Sequence, residues 1–169
     1  MADRVVLVNG LPASGKTTLA TALAQELGFV LLSKDAILAP LASIAWPRVS
    51  SDVLGGIALD TMYALAAAVE GGVILDSIWL ARRDRLFLER GLASIGQPRV
   101  VEVWCRLPEA VAETRFEQRM PERHPVHGAW RPGFWDDAAP ITDDPLIVET
   151  TGDVDVAALA ARVHAAVSA

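Results

Sequence analysis

The residues best suited to chemistry lie near the amino terminus, in the run Gly10-Leu11-Pro12-Ala13-Ser14-Gly15-Lys16-Thr17. This is the pattern G-x-x-x-x-G-K-T, whose glycines let the backbone wrap closely around an anion. Amide groups at a helix start favour anions, and Lys16 would reach the β- and γ-phosphates of a nucleotide. The predicted nucleotide-binding loop comprises Gly10, Pro12, Ala13, Ser14, Gly15, Lys16, Thr17 and Thr18. We expect the Thr17 hydroxyl to bind Mg²⁺ and Lys16 to be catalytic.

Two aspartates, Asp35 and Asp76, each come at the end of an apolar run that is typical of a buried strand. Ligands of open α/β sheets bind at the carboxyl ends of the strands. Asp35 follows the second run, away from the phosphate loop, so we predict that it binds the acceptor hydroxyl as the catalytic base. Asp76 ends the third run and is predicted to bind Mg²⁺. The two roles could be exchanged or shared, or each aspartate could cap the helix after it.

Arginines recur every four residues, at Arg115, Arg119 and Arg123, on one helical face that leads into a proline-rich segment. Phosphoryl transfer requires positive charge around the transferring group, so we predict catalytic roles for Arg115 and Arg119. Arg115 is also expected to contact nucleotide, and Arg123 to contact substrate. The alternative is a solvated helix face on which the arginines pair with Glu113 and Glu117.

His124 and His127 lie in the segment that follows these arginines. Histidines at this spacing can bind a metal ion, but two ligands alone are weak grounds for a metal site. We expect the two side chains to pack within a lid or to contact substrate.

Further candidates for acceptor contacts lie between the second and fourth apolar runs. They are Trp46, Arg48, Asp60, Tyr63, Trp79 and Arg82. The apolar, tryptophan-bearing region from 36 to 80 favours a bulky, partly apolar acceptor over a small acid. Aromatic residues in such positions can equally belong to the core.

Five apolar runs alternate with helical patterns along the chain. The runs predict strands at 5–8, 29–32, 73–76, 100–105 and 146–149. Helical spacing predicts helices over 16–27, 36–45, 52–70, 82–94, 108–120 and 154–167. This alternation predicts an α/β fold, with a five-stranded parallel sheet and helices on both faces, in one domain spanning 1–169.

Residues 121–145 interrupt the alternation with repeated prolines and with three aromatic residues, Trp130, Phe134 and Trp135. A stretch this long without periodicity inside a compact domain is usually functional or disordered. Its aromatic residues favour a function. We therefore predict a mobile lid over about residues 115–140.

Composition sets limits on the kind of protein. The chain has 169 residues, 52% of them hydrophobic, and a net charge of −6 without a long Lys/Arg run, which disfavours nucleic acid as a partner. Its one cysteine, Cys105, excludes an internal disulfide and a Cys-rich metal site and is expected to be a small buried side chain. The start of the sequence lacks a signal-peptide pattern, and no apolar stretch reaches membrane-spanning length. We expect a cytoplasmic protein with no membrane partner.

Four parts of the chain carry a resemblance to a known family: the phosphate loop, Ser33-Lys34-Asp35, Ile74-Leu75-Asp76 and the arginine-rich helix. Together they resemble the small P-loop kinases of the AAA_33 and chloramphenicol phosphotransferase-like group. The segment Pro145 to Leu159 is similar to that group's last strand and nucleotide-base loop, which implies that Gly152 contacts the nucleotide. The resemblance implies ATP or GTP with Mg²⁺, a flexible lid and transfer to a hydroxyl. Such kinases are often dimers, so a homodimer is possible.

The sequence departs from related kinases in ways that bear on the acceptor. Polynucleotide kinases typically have Asp-x-x-Arg where this chain has Asp35-Ala36-Ile37-Leu38, and shikimate kinases have an acid where it has Ser33. The substrate signature of gluconate kinases is not visible either. We therefore expect a phosphotransferase that modifies a small-molecule hydroxyl, with an antibiotic as the favoured acceptor. The alternatives are a metabolic sugar or nucleoside kinase, a polynucleotide 5′-hydroxyl kinase, and a non-kinase ATPase or switch.

Overall fold

A parallel sheet of five strands forms the centre of the computed structural model, which describes residues 1–136 and 138–168. The strands are β1 (Ala2–Gly10), β2 (Val30–Ser33), β3 (Gly71–Asp76), β4 (Arg99–Arg106) and β5 (Leu146–Glu149). Their order across the sheet is β2-β3-β1-β4-β5. The predicted sheet is confirmed. Asp137, within the predicted lid, and Ala169 lie outside the described residues.

The helices follow the strands in the predicted alternation. They are α1 (Lys16–Leu27), α2 (Lys34–Ala45), α3 (Ser51–Ala68), α4 (Ala81–Ile95), α5 (Glu109–Arg119) and α6 (Val156–Ser168). α1 ends at Gly28 and α4 at Gly96, and both glycines have the left-handed conformation that favours this residue at a helix end.

The core has two layers because both faces of the central strand are covered. Val6 and Val8 of β1 pack with α1 and α6 on one face of the sheet. Val5 and Leu7 pack with α3 and α4 on the other face. A strand buried on both sides needs apolar residues at successive positions, which explains the unbroken apolar run at the start of the chain.

The predicted lid is largely irregular. After α5 it contains two short 3-10 turns, Met120–Glu122 and Pro125–His127. Val126 is buried among residues of α2 and α3, whereas Trp130 and Trp135 pack beside Leu11 of the phosphate loop. The lid segment thus lies across the carboxyl edge of the sheet. Its mobility stays a prediction.

Within the described parts of the chain, none of the helices combines the length and the apolar character needed to cross a membrane.

Candidate active site

The phosphate loop begins where β1 ends, at Gly10. A Cβ atom added to Gly10 would lie 2.6 Å from the carbonyl oxygen of Cys105, and the residue has a φ of +144°. Only glycine therefore allows the loop to leave β1 so close to β4. Ala13 and Gly15 also have positive φ angles, of 58° and 87°. These conformations curl the loop ahead of α1, whose first amide groups have no earlier helical carbonyl as partner.

Lys16 lies inside this loop. Its side chain is buried, and its Nζ donates a hydrogen bond to the carbonyl oxygen of Leu11 at 2.6 Å. Burial lowers the pKa of Lys16, while the nearby carboxylate of Asp76 opposes that shift. The Ser14 hydroxyl is buried and has no hydrogen-bond partner among the described residues. A buried cation beside an unsatisfied donor fits a loop that receives phosphate oxygens.

The carboxylate of Asp76 joins the loop to the neighbouring strands. Thr17 Oγ1 and Ser33 Oγ each donate to Asp76 Oδ2, both at 2.8 Å. The sheet register explains the second bond, because Ser33 lies directly opposite Asp76 on adjacent strands. These oxygen groups suit the preference of Mg²⁺ for hard ligands, so Thr17 and Asp76 are the residues that would hold the ion. Ser33 is a member of this group that the sequence analysis did not assign.

The electrostatics of Asp76 also match a cation-binding role. Burial raises the pKa of Asp76, and the hydrogen bond from Thr17 is the strongest opposing influence. A buried carboxylate of this kind gains from a nearby positive charge. The alternative of a helix cap does not apply to Asp76, because α4 begins only at Ala81, and the backbone N–H of Leu80 before it donates to Asp84 Oδ2 at 2.8 Å.

Asp35 has quite different surroundings. It lies in the first turn of α2, and its side chain is 54% exposed. Arg123 Nη2 is 3.3 Å from Asp35 Oδ2, and His127 Nδ1 is 3.8 Å from Asp35 Oδ1. The structure therefore places Arg123, which was predicted to contact substrate, beside the predicted acceptor-side base. His127, which was predicted to pack within a lid or to contact substrate, also approaches Asp35.

Arg115 of α5 is bonded to the loop after β5. Its guanidinium donates to the carbonyl oxygens of Thr150 at 3.1 Å and Thr151 at 3.4 Å. Thr150 also lies beside the phosphate loop, since a Cβ atom on Gly15 would be 3.9 Å from it. Arg115 and the loop containing Gly152 are thus on the side of the site where the predicted nucleotide contacts lie. Arg119 is exposed at the end of α5.

The remaining acceptor candidates are divided between the surface and the core. Trp46 ends α2, and its ring meets that of His124 edge-on at 5.4 Å. Arg48 and Asp60 are exposed. Arg82 lines a cavity of about 610 Å³ at the start of α4, together with Leu80, Arg83, Gly133, Phe134 and Asp136.

Tyr63 and Trp79 require a correction. Both side chains belong to the core between the sheet and the helices α3 and α4, with Trp79 only 1% exposed. Trp79 Nε1 donates to the Tyr63 hydroxyl oxygen at 3.3 Å, so the indole N–H has its hydrogen-bond partner inside the core. Neither ring is open to an acceptor in this arrangement. Their aromatic character reflects packing, the alternative that the sequence had left open.

A buried polar network around Glu102 was missed. Glu102 is fully buried in β4, and its carboxylate accepts hydrogen bonds from Asn9 Nδ2, from the backbone N–H groups of Ile141 and Thr142, and from Thr142 Oγ1. Asn9 Oδ1 in turn accepts from the backbone N–H groups of Gly10 and Trp79. The network ties the start of the phosphate loop to β4 and to the segment before β5. The signal in the sequence was an acid inside an otherwise apolar strand.

The fold of the whole chain is similar to those of several solved structures. A protein from Chloroflexus aurantiacus J-10-fl described as a "putative kinase" is 27% identical, with a TM-score of 0.82 and coverage of 98% of this chain and 99% of that chain. The APS kinase CysC of Mycobacterium tuberculosis, in complex with AMPPNP and APS, is 18% identical, with a TM-score of 0.67 and 98% coverage of both chains. A gluconokinase from Sinorhizobium meliloti 1021 is 16% identical, with a TM-score of 0.59 and coverage of 98% and 92%.

Two of these likenesses fall below 25% identity and show the fold alone. No curated protein sequence matches the chain. The AAA_33 family, described as an AAA domain, matches residues 5–129, which include the phosphate loop, both aspartates, and Arg123 and His127 of the predicted lid. The chain therefore belongs to the AAA_33 family, and its fold is that of a kinase-like P-loop NTPase.

Proposed function

We propose that the protein is a nucleotide-dependent phosphotransferase that moves a γ-phosphoryl group to a hydroxyl of a small molecule. The observation that carries this proposal is the separation of two acids at one edge of the sheet. Asp76 is buried against Thr17 of the phosphate loop, whereas Asp35 is half-exposed and faces Arg123 of the lid. A non-kinase switch or ATPase needs no acidic residue on the acceptor side of the loop.

Each part of the site then has a distinct task. The loop amides and Lys16 would hold the β- and γ-phosphates, and Arg115 would hold the nucleotide side of the lid in place. Mg²⁺ held by Thr17 and Asp76 would neutralise charge on the phosphates. Asp35 would orient the acceptor hydroxyl and accept its proton as the oxygen bonds to phosphorus and the bond to the leaving diphosphate breaks.

Lid arginines would supply the remaining positive charge at the transferring group. Arg123 is suited to this because its guanidinium lies beside Asp35 and its positive charge also lowers the pKa of Lys16 in the phosphate loop. Arg119 would need to turn inward from the surface of α5 to take part. The lid would therefore supply positive charge on the acceptor side of the site through Arg123, as well as on the nucleotide side through Arg115.

For the acceptor we favour a partly apolar molecule with a free hydroxyl, such as an antibiotic. With Tyr63 and Trp79 in the core, this preference depends on the cavity beside α4, where Leu80 and Phe134 lie next to charged side chains, and on the half-exposed Trp46. A surface that mixes apolar and charged groups suits an acceptor with both characters. Sugars, nucleosides and oligonucleotide 5′-hydroxyls are the alternative acceptors.

The test is nucleotide consumption with ATP and with GTP, in the presence of Mg²⁺, against a panel of hydroxyl-bearing antibiotics, sugars, nucleosides and oligonucleotides. Mass spectrometry of the product should show the addition of one phosphoryl group. Lys16→Ala serves as the control for nucleotide binding. Asp35→Asn should keep nucleotide affinity within about twofold and lose phosphoryl transfer by roughly 100-fold or more, the range for a general base.

The outcomes separate the candidate functions. One acceptor that strongly stimulates turnover and gains a phosphoryl group supports the proposal and identifies the acceptor class. Full transfer by Asp35→Asn would refute the assignment of the base. Slow hydrolysis that ignores every acceptor, with nucleotide still bound, would instead favour an ATPase or switch.

A further inference from the structure

The 3-10 turn Pro125–His127 is anchored to the body of the protein at one point. Val126 is 4% exposed and packs in a cluster with four residues of α2 and α3. Those residues are Leu38, Ala42, Leu54 and Ala58. Burial of an apolar side chain against two helices gives the turn a defined place above the start of α2. His127, the next residue after Val126, is therefore held near Asp35.

His124, which precedes this turn, and His127, which ends it, have different surroundings. His124 Nδ1 accepts a hydrogen bond from the backbone N–H of Val126 at 3.1 Å, and its ring rests against Trp46. These contacts shape the turn itself. The side chain of His127 is only 12% exposed, and its Nδ1 approaches Asp35 instead. His127 is thus a nearly buried polar side chain directed at the proposed base.

Two lid residues approach the two oxygens of this one carboxylate. Arg123 lies on the side of Oδ2 and His127 on the side of Oδ1. The Arg123 guanidinium is also held over the ring of Phe116 in α5, 5.0 Å from its centroid. The distance of 3.8 Å from His127 to Asp35 exceeds a hydrogen bond, so a movement of less than about 1 Å would form one.

The burial of His127 favours its neutral form. Burial lowers the pKa of His127, the carboxylate of Asp35 opposes that shift, and the positive charges of Arg123 and Lys34 act in the same direction as burial. A neutral imidazole has one ring N–H to donate. A donor of that kind can hold a carboxylate without adding a further full positive charge beside it.

We propose that His127 is a positioning residue for Asp35, which it orients together with Arg123 so that the carboxylate faces the acceptor hydroxyl when the lid turn is docked. This inference depends on the proposed function, because it gives Asp35 the role of base. The exposed carboxylate would otherwise rotate among several orientations, and only some of them face the hydroxyl. The lid thereby contributes to the acceptor side of the site through Arg123 and His127, as well as to the nucleotide side through Arg115.

The kinetic test compares His127→Leu and His127→Asn with His164→Leu, a matched substitution at an exposed histidine of α6. The amide of asparagine can replace the N–H at the Nδ1 position, whereas leucine cannot. With the acceptor found above, we expect His127→Leu to lower kcat roughly 10- to 100-fold, with the Kd for nucleotide unchanged within about twofold. His127→Asn should recover a large part of that loss, and His164→Leu should behave as the unsubstituted protein.

A second readout needs no acceptor. Long-range ¹H–¹⁵N NMR spectra resolve imidazole nitrogens, and the chain has only three histidines. Asp35→Asn should shift the ring resonances of His127 and leave those of His164 in place.

The inference is overturned if His127→Leu keeps its kcat, if only the KM for the acceptor changes, or if the loss follows unfolding and asparagine does not reverse it. Unchanged His127 resonances in Asp35→Asn would also overturn it. If the unsubstituted protein phosphorylates no acceptor, the proposed function fails and this inference fails with it. If that protein is active and the His127 variants match it, the inference alone fails.

Discussion

The hydroxyl of Thr17 donates a hydrogen bond of 2.8 Å to the carboxylate of Asp76, so the phosphate loop and β3 are joined at the residues that would bind Mg²⁺. That carboxylate is buried, and burial raises its pKa. A group that binds its proton more tightly in the folded than in the unfolded protein contributes stability at low pH. This contribution is lost as pH rises from the unfolded value of 3.8 through the raised folded value.

Asp76→Asn should therefore stabilise the nucleotide-free protein at pH 7. The amide oxygen can still accept from Thr17 and Ser33, while the cost of a buried charge disappears. We expect a Tm higher by a few °C, since about 1 kcal/mol corresponds to roughly 2–4 °C for a chain of this size. The gain should shrink near pH 4, and Mg²⁺-dependent turnover should fall steeply. Thermal scans with exposed Asp60→Asn as control check this; equal or lower stability at pH 7 would contradict it.

We expect Arg115 to contribute to nucleotide binding rather than to acceptor binding. Its guanidinium donates to two backbone carbonyls of the loop after β5, a pattern that the single ammonium of lysine cannot copy. We expect Arg115→Lys to weaken nucleotide binding several-fold in calorimetric titrations. Exposed Gln118→Ala on the same helix is the control. Unchanged nucleotide affinity with a loss of turnover would instead assign Arg115 to the transferring phosphoryl group.

The hydrogen-bond network around Glu102 predicts that the small change Glu102→Gln lowers the free energy of unfolding substantially. Glu102→Gln turns one accepting oxygen into a donor that faces N–H groups, and a buried unsatisfied polar group costs about 1–3 kcal/mol. Urea unfolding should show that loss of stability. The matched control is Glu149→Gln in the exposed ion pair with Arg106, where we expect less than about 1 kcal/mol. Similar values for both variants would mean that the network contributes little.

Replacing each of two helix glycines by alanine should change the free energy of unfolding in opposite directions. A Cβ atom on Gly91 of α4 would lie 2.4 Å from the ring of Tyr63, whereas one on Gly56 of α3 would have open space. Alanine has the higher helix propensity by about 1 kcal/mol. Gly56→Ala should therefore stabilise by up to that amount, and Gly91→Ala should destabilise because a core ring must move. Denaturant midpoints measure both, and a stabilised Gly91→Ala would show that the core has room there.

Local patterns in the sequence were sufficient to predict the architecture. Apolar runs such as Val5–Val8 are continuous because β1 is buried on both faces, and the loop after it has a fixed spacing set by phosphate binding. The observed ends of strands and helices differ from the predicted ends by a few residues. β1, for example, extends from Ala2 to Gly10.

The parts of the site that depend on contacts distant in sequence could not be predicted in the same way. Whether Trp79 lines a pocket or fills the core depends on where α3 and α4 pack, and its sequence neighbours do not reveal that. The approach of His127 to Asp35 joins positions 92 residues apart, and it depends on the docking of Val126 between two helices. Glu102 has a local signal, but its partners at 141 and 142 come from an irregular segment.

The packing of Trp130 and Trp135 around Leu11 has an optical consequence. Leu11 belongs to the loop that would close around phosphates, and its carbonyl oxygen already accepts from Lys16. A ligand that draws Lys16 away from that oxygen would disturb the environment of two indole rings at the same time. The chain thus carries its own fluorophores where the phosphate loop meets the predicted lid, and nucleotide binding should be visible as a change in intrinsic tryptophan emission without any attached dye.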